Sequence, residues 1–139
     1  MASSRKFGKR ELARIFREAE AAGIAAGRDA VPTPMVVFQP RAGDLFTERE
    51  SDITRAVKVY EPVMDGVCGF AEIVIRPGNS SAANFAKARY GASKRYHGGV
   101  GIWVSSYGQS YERKMAYAVA FAGILRDAGI NAYADGRLD

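Results

Sequence analysis

Between Lys114 and Arg126 the chain holds no charged residue, yet the segment has the length and the punctuation of a helix. A helix that is uncharged around its circumference has most of that circumference enclosed by other elements. Ala116, Ala118, Ala120, Ala122 and Gly123 are small enough to let it lie close against a sheet. Its ends are marked. Ser110 is a good N-cap, and Glu112 in the first turn suits the positive end of the helix dipole. Arg126 falls in the last turn, and Gly129 can adopt the left-handed conformation that closes a helix, with Ile130 folding back on Leu125. The spacing therefore predicts a helix over Tyr111 to Ala128, entered from a strand at Val100 to Ser105 through a polar turn, and followed by a short strand at Asn131 to Ala134. This unit is the expected folding core.

The remaining elements are arranged around it. Residues 1–8 read as a flexible lead. Leu12, Ile15, Phe16, Ala19 and Gly23 recur at helical spacing, so Lys9 to Ala26 is an expected amphipathic helix with a basic beginning. Pro32 and Pro34 favour an extended entry to a strand at Met35 to Phe38, and Pro40 to Thr54 reads as a surface loop. A strand from Ala56 to Met64, the hairpin signal Asp65-Gly66 and a strand from Val67 to Arg76 come next. Phe70 to Ile75 is apolar except for Glu72, as in a central strand covered on both faces. Pro77-Gly78-Asn79-Ser80 ends it, Ser80 or Ser81 caps a helix running to about Tyr90, and Gly91 closes that helix. The expected class is α/β or α+β: one domain over residues 1–139, with a single mixed sheet, an antiparallel hairpin, two strand–helix units and the N-terminal helix.

The composition, 47% hydrophobic and 25% charged, is that of a globular domain able to bury a core. Cys68 is the only cysteine, which rules out an internal disulfide and makes a reducing compartment the default. Nothing resembles a signal peptide or a transmembrane run, so a cytoplasmic protein with no membrane partner is expected. Self-association stays open.

Aligning Gly69 with Gly99 also pairs Val74 with Val104, Gly78 with Gly108 and Ser80 with Ser110, while Asn79 meets Gln109. Each half is strand, Gly-amide-Ser turn, helix. If the two strands are parallel neighbours, both turns emerge at one sheet edge and aim helix-start N–H groups at one region. Gly78, Asn79, Ser80, Gly108, Gln109, Ser110, Arg113 and Lys114 would then form an anion site for a small phosphorylated, nucleotide-like ligand.

Gly98-Gly99-Val100-Gly101 precedes a strand, the wrong order for a dinucleotide fingerprint, and reads as a turn followed by a strand position of close backbone approach. Cys68 lies in an apolar strand and is read as a small core residue, leaving His97 without a nucleophile to serve. No catalytic residue, metal or cofactor is assigned, although Glu72, Glu112, Asp135 and Asp139 leave the question of a shared cation open. The strongest signal is charge. The net charge is +5, and Ile73 to Arg126 holds eight cations against Glu112 alone. Lys87, Arg89, Tyr90, Lys94, Arg95, Tyr96 and His97 interleave cations with rings, a pattern suited to nucleic acid with exposed bases or to another polyanion.

Gly69-Phe70-Ala71, Ser80 to Lys87, Gly98-Gly99 with Trp103, Gln109-Ser110 with Arg113-Lys114, and the Arg137-Leu138-Asp139 ending together resemble small uncharacterised proteins encoded by tailed phages and prophages. Pro34-Met35-Val36 belongs to the same pattern. The resemblance implies a non-enzymatic phage accessory protein in the host cytoplasm, or a virion or protein-interaction component, and carries no catalytic residue with it.

Overall fold

The computed structural model describes residues 6–32, 38–39, 58–59, 68–108 and 110–138. In chain order they form α1 (Lys9–Asp29), β1 (Phe38–Gln39), β2 (Lys58–Val59), β3 (Gly69–Ile75), α2 (Ser81–Arg89), β4 (Ser93–Lys94), β5 (Val100–Trp103), α3 (Tyr111–Asp127) and β6 (Ala132–Leu138). The class is α+β. β1 and β2 pair with each other, and the other four strands make one sheet in the order β4-β5-β3-β6. The hairpin turn expected at Asp65-Gly66 lies outside the described residues.

Every pairing in the four-stranded sheet is antiparallel, which corrects the expected mixed sheet. β3 and β5 are neighbours, but Ile73 lies opposite Ile102 in antiparallel register. From β3 onward the chain runs β-α-β-β-α-β in two interlocked halves. β5 lies between the two strands of the first half, and β3 lies between the two strands of the second. This is the split β-α-β connectivity of ferredoxin-like sheets. The echo between Gly69 and Gly99 thus marks two real strand–turn–helix units. They are related by a half-turn rather than by a parallel shift.

Local chemistry sets the helix boundaries. The Ser80 hydroxyl accepts the Ala83 N–H at 3.1 Å, and the Ser110 hydroxyl accepts the Arg113 N–H at 3.4 Å. Each cap satisfies a donor that the first helical turn leaves unpaired. At the far end of α3, Gly129 has φ +95° and the Ile130 N–H reaches the Leu125 carbonyl at 3.0 Å.

Both α2 and α3 pack on one face of the sheet. Ala82, Ala83, Ala118, Phe121, Ala122 and Leu125 share a single apolar cluster with Ala71, Ile73, Ile75, Val100, Ile102 and Ala132. α3 lies between the sheet and α1, which accounts for its uncharged circumference. Phe16 of α1 is fully buried, edge-on to Phe121 at 5.9 Å and tilted against Phe85 at 5.0 Å. β6 runs to Leu138, beyond the expected end at Ala134, because it pairs with β3 along its whole length. Gly136 is accommodated there for a steric reason: a Cβ would collide with Met115 and Tyr111 of α3. Among the described residues no helix is long and apolar enough to cross a membrane.

Candidate functional site

Successive side chains of a strand point to opposite faces, so the residues between Ala71, Ile73 and Ile75 project away from the helices. In β3 these are Phe70, Glu72 and Val74. Register places Trp103 of β5 and Asp135 of β6 on either side of Glu72, and Arg137 beside Phe70. Phe70 and Trp103 stack with ring centroids 5.3 Å apart and planes 38° from parallel. The Arg137 guanidinium lies 5.8 Å from the Phe70 ring centre. Trp103 remains 54% exposed, unusual for a residue whose ring would gain from burial. A groove of about 400 Å³ opens here, bordered by Phe70, Trp103, Arg95, His97, Asp135 and Arg137.

Arg95 crosses this face like a strap. Leaving the edge strand β4, its side chain passes over Gly101. Its Nε donates to Glu72 Oε1 at 2.8 Å, and its Nη2 donates to Asp135 Oδ2 at 2.7 Å. A Cβ at Gly101 would strike the Glu72 carboxylate, so the close neighbour there is a side chain and not the backbone expected from the sequence. Burial pulls the Arg95 pKa down, but the hydrogen bond to Glu72 and the fields of Glu72, Tyr133 and Asp135 outweigh it and hold the pKa above its ordinary value. The guanidinium therefore stays charged, and its attraction is spent mainly inside the protein.

The basic aromatic set expected from the sequence is divided by the fold. Lys94, Tyr96 and His97 are exposed at the β4–β5 edge, Tyr96 at 96%, with the His97 ring edge-on to it at 4.9 Å. Arg95 is engaged by the two carboxylates just described. Tyr90 is packed by its ring against Phe16 at 5.1 Å and Phe121 at 6.1 Å, and burial raises its pKa. It belongs to the apolar cluster under the helices. Lys87 and Arg89 are exposed on α2, where Arg89 lies over the Phe85 ring at 5.7 Å and borders a groove shared with α1, away from the sheet face. Phe70, Trp103 and Arg137 were missing from that set. Their signal was the alternation in β3 and β5, with a lone tryptophan and charged residues set between core positions.

The expected anion site is not assembled. Gly78 sits against Gly99 beyond the end of β3, whereas Ser110 bridges Cys68 before its start. Antiparallel strands put the two turns at opposite ends of the sheet, on the order of 20 Å apart at the rise of a strand. Asn79 belongs to the first turn, and Gly108, with φ +56°, to the second; Gln109 lies outside the described residues. Ser80 and Ser110 spend their hydroxyls as caps. Lys114 is buried, donating from Nζ to the Gly69 carbonyl at 3.2 Å with the Phe70 ring centre 5.7 Å away. Among the described residues nothing bonds the buried Nε of Arg113.

Glu72 and Asp135 meet across β3 and β6, but Arg95 stands between them as the shared cation. Glu112 belongs to the first turn of α3, and Asp139 lies outside the described residues. Among the described residues no cluster of three or more histidine, cysteine or carboxylate side chains is placed to hold a metal. Compared with known proteins, the chain matches no family model, no curated protein and no solved structure.

Proposed function

We propose that this chain is a non-enzymatic, phage-type accessory protein that binds single-stranded nucleic acid across the sheet face away from the helices. The exposed Trp103, stacked on Phe70 beside Arg137, carries the reading. A solvated face of an antiparallel sheet is ordinarily polar. Here it offers aromatic rings to a partner that brings flat surfaces of its own, and unstacked bases are such surfaces.

Charge supports the same partner. The face carries Arg76, Arg95 and Arg137 against Glu72 and Asp135, and Arg95 neutralises much of both carboxylates. Arg76 lies over the Tyr133 ring at 5.8 Å and donates to the His97 carbonyl. Among the described residues neither Arg76, Arg137 nor the edge residue Lys94 has a carboxylate partner. Arg137 and Arg76 stand near the two ends of β3, so a strand laid along it meets a cation at each end, with Phe70 beside Arg137 and Trp103 level with the middle. A duplex keeps its bases stacked inside and gains only the charge.

Fluorescence anisotropy with labelled single- and double-stranded oligonucleotides over a salt series tests the reading. Single strands are expected to bind more tightly. Lys94→Ala is expected to flatten the salt dependence by roughly 0.7 in logarithmic slope if that lysine meets one phosphate. No binding of either form at low salt would end the proposal.

A further inference from the structure

The carboxylates in the middle of a face offered to a polyanion need their own explanation, because phosphates would avoid them. Resting on the reading above, we propose that the groove between Trp103 and Asp135 seats one base of the strand and selects guanine through the Asp135 carboxylate. In register Trp103, Glu72 and Asp135 lie side by side on three adjacent strands. At ordinary strand spacing Trp103 and Asp135 are therefore about 10 Å apart. A base stacked on the exposed Trp103 ring and directed across β3 brings its Watson–Crick edge to Asp135.

The hydrogen-bonding capacity at that edge is specific. Asp135 is half exposed, with a side chain 49% accessible, and its Oδ2 takes the Arg95 Nη2 hydrogen. Among the described residues nothing bonds its other oxygen, and nothing bonds Arg95 Nη1. The groove thus presents a carboxylate acceptor beside a guanidinium donor. Guanine alone offers two adjacent donors, N1–H and the exocyclic amine, to a carboxylate, with the O6 acceptor next to them for a guanidinium. Adenine offers its amine beside the N1 lone pair, which would face the carboxylate oxygen. Thymine and uracil flank their one N–H with carbonyl oxygens. Glu72 acts as a positioning residue: by holding Arg95 Nε it fixes the guanidinium, and through it the aspartate.

The test uses the full chain and short labelled oligothymidylates in which the central base is thymine, adenine or guanine, with affinities from anisotropy at one low salt concentration. The guanine-bearing strand is expected to bind about 10-fold more tightly than the all-thymine strand, and more tightly than the adenine-bearing one. Asp135→Asn, at a half-exposed position, is expected to bring the guanine-to-thymine ratio close to one. Equal affinity for guanine and thymine strands overturns the inference while leaving strand binding intact. An equal gain from adenine assigns the preference to stacking and also overturns it, as does a preference that survives in Asp135→Asn. Guanosine monophosphate competing as well as the oligonucleotide would make the groove a mononucleotide pocket and overturn the strand-bound form. Absence of binding to every strand would remove the proposed function itself.

Discussion

The two faces of one sheet are built from alternate residues of the same strands, and they differ in nearly every respect. Toward the helices β3 shows Ala71, Ile73 and Ile75, none more than 1% exposed. Toward the other side it shows Phe70, Glu72 and Val74, where Val74 is buried but Phe70 and Glu72 are only partly so. The first face is buried and is matched by apolar side chains of α2 and α3, with α1 packed outside them. The second combines rings with a charged network in which each carboxylate has found the same arginine. A buried face of this kind is explained by the hydrophobic effect alone. The other face keeps a tryptophan in water and two carboxylates in its centre, and folding by itself gives no reason for either.

Substitutions on each side should separate stability from binding. The largest expected effect is on the helical side: Phe121→Ala should cost about 3–5 kcal/mol, because a fully buried ring leaves a cavity. Urea denaturation reads it as a lower midpoint, and an unchanged midpoint would show that this face is not the core. Trp103→Ala should do the reverse. It should cost about 1 kcal/mol or less in stability for the lost contact with Phe70, but about 1–3 kcal/mol in affinity for single strands if a base stacks there. Equal binding by wild type and variant would take Trp103 out of the interface.

Glu72→Gln loosens Arg95 without removing Asp135, and a loss of about 1–2 kcal/mol in thermal stability is expected, since the bond to the partly buried guanidinium is charge-assisted. No change in melting temperature would show that Asp135 alone anchors the strap.

The last effect is an alkaline one on the helical side, absent at neutral pH. Burial first, then the fields of Glu20, Tyr107 and Tyr90, push the Tyr117 pKa up from 10.0 to about 12. A phenol whose pKa is raised by folding stabilises the native state fully below its unfolded value. That contribution is lost as the pH rises from 10 through 12. Tyr117→Phe should therefore lose less stability than wild type over that interval in pH-dependent melts. Parallel curves would mean that the Tyr117 hydroxyl titrates freely.

What the sequence determined by itself was local. Ser80, Ser110 and Gly129 mark helix ends because a cap is a contact within one turn of chain. The uncharged run after Lys114 announced its own enclosure because solvation acts on each residue separately. Gly101 could be recognised as a position of close approach, though not what would approach it. Tertiary structure alone decided the relations between distant segments. The pairing of β3 with β5 has the same local appearance in either direction, yet antiparallel register carried the two Gly-Ser turns to opposite ends and dissolved the expected anion site. Arg95 and Tyr90 lie within one basic, aromatic stretch, and nothing in their neighbours along the chain distinguishes them from Lys94 and Tyr96. Arg95 found Glu72 and Asp135, 23 and 40 positions away, and Tyr90 found Phe16 and Phe121. The energy of a side chain is set by what surrounds it in space, and for these residues those surroundings come from strands and helices far off in sequence.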